Sequence, residues 1–303
     1  MAFGGSPDGL LLLDKPAGIT STRALATAKR ALHADKAGHT GTLDPFATGL
    51  LPLAFGEATK FSRFLIDAVK EYDADLRLGA VSESGDTETP ARHVSDVIPE
   101  AGRIDAVVRG FVGEQWQMPP MHSAIHVGGR RLYEYAREGR EVAREPRRVE
   151  ILALEHLALE GDLLRLRVRC SKGTYVRTLA ADIGTALGCG AYLSALRRTA
   201  VGDLRLADAV ALETLVALPP ATGREYLRPA EQLVASLPRE HVDSEAARRF
   251  SHGQELAASR GGSSGPVAVF AEGGSFLGVA ERNDGRITPL RLLADRPKSP
   301  DFP

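Results

Sequence analysis

The 303-residue chain is poor in sulfur, with two cysteines and three methionines. Cys170 and Cys189 have neither metal-ligand company nor the spacing of a disulfide framework. Both are expected as small buried apolar side chains in a reduced cytoplasm. No long uninterrupted apolar run occurs, so no membrane-spanning helix is expected. Residues 1–8 show neither the basic region nor the apolar core of a secretory leader. Neither sign of charge dominates, with 38 Lys and Arg against 39 Asp and Glu. The overall basic footprint usual for a nucleic-acid partner is missing, so any such footprint has to be local. There is no internal repeat, no metal-ligand constellation and no phosphate-cradling glycine fingerprint. What remains is an ordinary globular composition, long enough for a large domain with a smaller one beside it.

The most informative stretch runs from Gly38 to Pro52, GHTGTLDPFATGLLP. It lies between two helical patterns and is unlike a helix. Gly38, Gly41 and Gly49 permit positive φ or close backbone approach, and Pro45 and Pro52 are expected to break any ladder. Pro45 pushes Asp44 toward an extended conformation. Asp44 therefore projects from a stiff loop, where an enzyme would hold a carboxylate still. Asp-Pro is also an ordinary turn signal.

Taken whole, the string resembles the signature loop of the TruB family of bacterial tRNA pseudouridine synthases, G-H-x-G-x-L-D-P-x-A-T-G, at every fixed position. Further strings follow in family order. Residues 11–21 fit L-x-x-x-K-P-x-G-x-T-S, and residues 70–79 fit K-x-Y-x-x-x-x-x-L-G. Residues 117–124 resemble Q-x-P-P-x-x-S-A, and residues 170–179 resemble C-S-K-G-T-Y-x-R-x-L. The strings L-G-C-G-A and L-R-R come after them. Two departures stand out: Ser82-Glu83-Ser84 before Asp86 replaces a T-D-T-like run, and His126 stands where the family usually has lysine.

The resemblance implies a uridine-to-pseudouridine isomerase acting on the T loop of tRNA, at position 55. The glycosidic bond breaks, the base turns, and C5 bonds to the sugar C1′. No group is oxidised or imported, so neither cofactor nor metal is expected. By the same resemblance Asp44 is the catalytic aspartate, as nucleophile at C1′ or as base toward a sugar proton. The target base has to be extruded from folded RNA. His39 is expected at the vacated place, with Tyr72 stacked on the uracil and able to take the C5 proton. Tyr175 lines the pocket, Leu196 contacts the nucleotide, Asp86 holds the uridine, and Lys15 lies near the cleft. Arg177 falls in the first turn of a helical pattern, where a cation gains nothing from the macrodipole. A carboxylate partner is the obvious reason for it, and pairing with Asp44 would oppose the protonation that burial favours. Tyr72 and Leu196 equally fit a plain core, and Asp86 a solvated acidic turn.

The implied fold is α+β: a mixed, largely antiparallel central sheet flanked by helices, with a small C-terminal β-barrel-like domain of the PUA type. The expected division is a flexible N-terminus at 1–8 and a catalytic domain at 9–235. A thumb-like insertion at about 122–150 interrupts it, and a PUA-like domain at 236–298 and a tail at 299–303 follow. Strands are expected at 9–15, 70–78, 151–159 and 163–170. Helices are expected from an N-cap at Thr22 to His33, over 57–65, within 95–112, and after Tyr175. Arg165, Arg167 and Arg169 alternate with apolar residues, either as an ordinary half-wet strand or as a stripe facing phosphates. The partner implied is tRNA, met by a monomer away from any membrane.

Overall fold

The computed structural model describes residues 6–123, 125–259 and 261–294. The expected tail at 299–303 and most of the expected flexible N-terminus lie outside them. Within them, the first strand is β1 (Gly9–Lys15), followed by helix α1 (Ser21–Ala31) and strands β2 (Ala37–His39), β3 (Thr48–Phe55) and β4 (Lys70–Leu78). Then come α2 (Ala101–Gly110), β5 (Gly113–Gln117), β6 (Arg147–Glu160), β7 (Leu163–Cys170), α3 (Val176–Leu187), β8 (Ala191–Val201) and β9 (Val210–Ala211). The main sheet runs β9-β1-β3-β8-β4-β7-β6-β5, with β2 also paired to β3. Two pairings, β1 with β9 and β3 with β8, are parallel, and the rest along this path are antiparallel.

The continuous apolar run of β1 is explained by burial on both faces. Leu11 and Leu13 enter one core with α1 and α3, while Leu10 and Leu12 enter a second core behind the sheet. That second core is shared with the C-terminal unit. It is built from β10 (Arg239–Val242), α4 (Ser244–Ser251), β11 (Leu256–Ala257), β12 (Gly265–Ala271), β13 (Phe276–Asn283) and β14 (Arg286–Leu292). These strands form a five-stranded sheet in the order β10-β12-β13-β14-β11. Phe276 meets Phe61 edge-on with ring centroids 5.0 Å apart, so the small unit packs on the large one through apolar contact.

Several boundaries differ from the sequence reading. Thr20, not Thr22, caps α1, its hydroxyl accepting from the Arg23 N–H. The segment after β3 splits into a 3₁₀ turn, Gly56–Phe61, and a short helix, Ser62–Ile66. Pro52 does not break a ladder but sits inside β3 opposite Leu12. On that edge the β8 pairing ends at Gly49 and the β2 pairing starts at Leu53, so the missing donor falls in the gap between partners. β6 begins at Arg147, inside the expected insertion, because residues 147–151 pair with β5. The arginine stripe of β7 lies against the acidic row of β4. Arg167 chelates Asp73 at 2.9 and 3.3 Å, Arg165 approaches Asp75 at 3.8 Å, and Arg169 stands opposite Glu71. The stripe thus faces carboxylates across the ladder, while Arg165 and Arg167 keep 44% and 42% of their side chains exposed.

Candidate active site

Asp44 lies in the loop between β2 and β3, and both its neighbours are pinned. Ser21 Oγ accepts from the Leu43 N–H at 2.8 Å and donates to the Leu43 carbonyl at 3.0 Å. The Pro45 carbonyl accepts from the Gly18 N–H at 2.8 Å and from Lys15 Nζ at 3.3 Å. Lys15 ends β1, Gly18 lies in the turn after it and Ser21 opens α1, which explains why that string accompanies the aspartate loop. Gly49 ends the loop with φ 99°, and a Cβ there would stand 2.4 Å from the Arg198 carbonyl oxygen. Only glycine fits that approach.

Arg177 enters from the first turn of α3 and is 4% exposed. Its Nε lies 3.0 Å from Asp44 Oδ2, and its Nη1 lies 3.3 Å from Asp86 Oδ2. Nη1 also donates to the Ser84 carbonyl at 3.0 Å, and Nη2 to the His122 carbonyl at 2.8 Å. A planar guanidinium can hold two carboxylates and two carbonyls in this way, which a lysine cannot. Asp44 keeps 34% of its side-chain surface open, yet burial raises its pKa above the ordinary carboxylate value. Arg177 is the main opposing influence, Asp86 adds to the rise, and Lys15 counters it weakly. The guanidinium therefore moderates the protonation of Asp44 without cancelling it.

Asp86 and Lys15 call for correction as substrate-contacting residues. Asp86 is completely buried, with its Oδ1 accepting from Ser84 Oγ at 2.5 Å and from the Glu88 N–H at 2.9 Å. It faces Arg177 from behind and offers no surface to a nucleotide. Lys15 is likewise fully buried. Its Nζ donates to the Pro16 and Ile19 carbonyls at 2.8 Å each, and burial first of all lowers its pKa to about 8. It is a strut under the aspartate loop.

Tyr72, on β4, is 9% exposed and carries a phenol whose pKa burial raises, with Arg198 opposing. Leu196, on β8 and 7% exposed, shares the apolar core with Tyr72. Tyr175 caps α3, and its backbone is bracketed by the buried Gln117, whose Oε1 accepts from the Tyr175 N–H at 3.0 Å. The charge of Asp44 bears on both phenols. His39 is half-buried at the end of β2, its pKa lowered by burial and then by Arg198. In the sequence Arg198 carries no signal beyond the end of an L-R-R string. Among the described residues no three His, Cys, Asp or Glu side chains converge as a metal would need. The arrangement supplies one partly open carboxylate, a buried cation behind it, and two aromatic rings beside it. That set can attack or deprotonate a sugar and hold a flat base.

The comparisons with known proteins fit this geometry. Residues 29–176 match the model of the TruB family pseudouridylate synthase N-terminal domain. Residues 177–235 match the tRNA pseudouridylate synthase B C-terminal domain, and residues 238–293 match the C-terminal model of pseudouridine synthase II TruB. Among curated proteins, the chain is 53% identical over 289 residues to the tRNA pseudouridine synthase B of Azoarcus sp. (strain BH72), covering 95% of each. It is 52% identical over 287 residues to that of Dechloromonas aromatica (strain RCB), covering 94% and 95%. Among solved structures, it is similar to a chain of a Cbf5-Nop10-Gar1 complex, with a TM-score of 0.76, 26% identity, and 95% and 89% of the two chains covered. A chain of an H/ACA RNP bound to a substrate RNA containing 2′-deoxyuridine gives a TM-score of 0.74 at 27% identity, covering 95% and 86%.

Proposed function

The chain belongs to the TruB family of pseudouridylate synthases and isomerises uridine in tRNA to pseudouridine, and we propose that its target is the T-loop uridine at position 55. The observation that carries the site assignment is the 3.0 Å approach of Arg177 to Asp44, on a loop pinned at both shoulders. Asp44 acts on the sugar as the glycosidic bond breaks, and Arg177 keeps the carboxylate aimed and favours its charged form. The uridine is extruded from the loop, with His39 at the place it leaves and Tyr175 and Leu196 lining the pocket. Tyr72 stacks on the freed uracil and takes the C5 proton once C5 has joined C1′. Asp86 and Lys15 serve from behind, one holding Arg177 and the other holding the loop. The division into a catalytic unit ending near residue 235, a thumb-like insertion and a C-terminal RNA-gripping unit belongs to the same proposal. So does action as a cytoplasmic monomer on the tRNA T stem-loop.

A nucleoside hydrolase would need a second carboxylate to activate water. Asp86 is the candidate from the sequence, and its complete burial against Arg177 argues against that role. The test is incubation with T-loop RNA carrying tritium at uridine C5. Tritium enters water with the intact chain and not with Asp44→Asn, while tRNA binding persists in both. Release of free uracil, or full turnover by Asp44→Asn, would overturn the reading.

A further inference from the structure

We propose that Arg198 is a positioning residue that readies Tyr72 for the closing proton transfer, when hydrogen leaves C5. The inference rests on the role given to Tyr72 above. Arg198 is 2% exposed and is the bulkiest of the fully buried side chains. Buried charges are ordinarily paired. Arg197, one residue earlier, is exposed and pairs with Asp14 at 2.7 Å. Arg198 is buried with no carboxylate partner among the described residues: it meets carbonyls, with the Tyr72 phenol within reach. Nε donates to Leu50 at 2.7 Å and Nη1 to Thr42 at 3.4 Å, while Nη2 has no hydrogen-bond partner. A buried guanidinium with a spare donor is costly, and the structure keeps it beside the reacting centre.

Its place in the sheet indicates what it acts on. Arg198 on β8 stands directly across from Tyr72 on β4, so the two side chains share one face. The other titratable groups around the pair come from every neighbouring element. They are Lys15 from β1, His39 from β2, Lys70 from β4, Cys170 from β7 and Asp44 from the loop. Lys15, His39 and Lys70 gain nothing from a second cation. The phenol of Tyr72 does, because burial and the charge of Asp44 hold its proton on while Arg198 draws it off. Arg198 also ties Thr42 to Leu50, the two sides of the loop carrying Asp44, so the same guanidinium spans both halves of the site.

The step balances without a further reagent. When C5 has bonded to C1′, it carries both the sugar and its original hydrogen. The phenolate form of Tyr72 takes that proton, and the C5–H electron pair restores the C5=C6 double bond. A proton added at N1 completes pseudouridine, leaving the proton count of the ring unchanged. Arg198 supplies positive charge beside the phenolate while it exists.

The experiment compares pseudouridine formation from T-loop RNA carrying protium or deuterium at uridine C5, in single turnovers across a pH series. Arg198→Met, Arg198→Lys and Tyr72→Phe are measured with the intact chain, alongside filter binding of tRNA and circular dichroism. In Arg198→Met the isotope effect grows and the rising limb of the pH profile moves to higher pH. The rate falls about tenfold for each unit of phenol acidity lost. Arg198→Lys, which keeps the charge, recovers part of all three, and Arg198→Gln takes the place of the methionine variant should that not fold. In a Tyr72→Phe background, Arg198→Lys adds nothing to the isotope effect. A slower Arg198→Met, or Arg198→Gln in its place, with an unmoved isotope effect and pH limb would make Arg198 a scaffold only. Wild-type rate and isotope effect in Tyr72→Phe would instead remove the role given to Tyr72, and this inference with it.

Discussion

Replacing Arg177 by alanine reaches more of the site than any other single change. Unit charges about 3 Å apart attract by roughly 5 kcal/mol at an effective dielectric of about 20. The Asp44 carboxylate is a third open to water, so screening cuts its share to roughly 2–3 kcal/mol. Losing Arg177 moves the Asp44 pKa, and each step of about 1.4 kcal/mol corresponds to about a tenfold change in the ratio of ionised to protonated carboxylate. The direction is upward: the pKa is already raised by burial and by Asp86, and Arg177 is the chief influence holding it down. Arg177→Ala therefore depletes the ionised form. Single-turnover pseudouridine formation should fall by up to about a hundredfold at neutral pH and recover in part as the pH rises. Loss of the buried countercharge to Asp86 should also cost about 3–5 kcal/mol of stability, seen as a lower Tm. Arg177→Lys should keep more of the charge effect and lose the four-way grip. A rising limb that stays in place in Arg177→Ala, whatever the absolute rate, would refute the electrostatic argument.

Three further outcomes follow from the same contacts. The raised folded-state pKa of Asp44 means the native protein holds that proton more tightly than the unfolded chain. Charging Asp44 thus lowers stability as the pH climbs from its unfolded value of about 3.9 through the folded one. Asp44→Asn should accordingly melt higher than wild type at neutral pH, with the gain disappearing near pH 4 in a pH series of melts. Gly49→Ala places a Cβ against the Arg198 backbone at φ 99°, so it should lose more than about 1–3 kcal/mol in urea titrations, and pseudouridine formation with it. Phe276→Ala empties one side of the apolar seam against Phe61, so the urea midpoint should drop by the equivalent of about 3–5 kcal/mol.

The legible parts of the site were those written in local strings. Asp44 and Arg177 each sit in a run of specific letters, and the need of Arg177 for a carboxylate follows from its place at a helix start. The alternation of β4 gave its buried row directly, and the double burial of β1 was plain from its unbroken leucines. What escaped was everything set by register between distant strands. Whether Arg165 and Arg167 meet phosphates or aspartates depends on β4 lying alongside β7 in one alignment. Arg197 and Arg198 are neighbours in one string, and bulges in β8 at Leu193/Ala195 and Arg198/Ala200 disturb the simple alternation. Pro52 was misjudged for the same reason: the gap that tolerates it lies between two other strands. The burial of Asp86 and Lys15 belongs to the packing of whole segments and leaves no mark in their own neighbours.

Arg177 also holds the main-chain oxygen of His122, at the entrance to the segment between β5 and β6. A shift of that segment as RNA arrives would tug on the same side chain that governs the charge of Asp44. Arrival of the polymer and arming of the acid would then be two ends of one lever, and a ligand that never moved His122 would meet a less reactive enzyme.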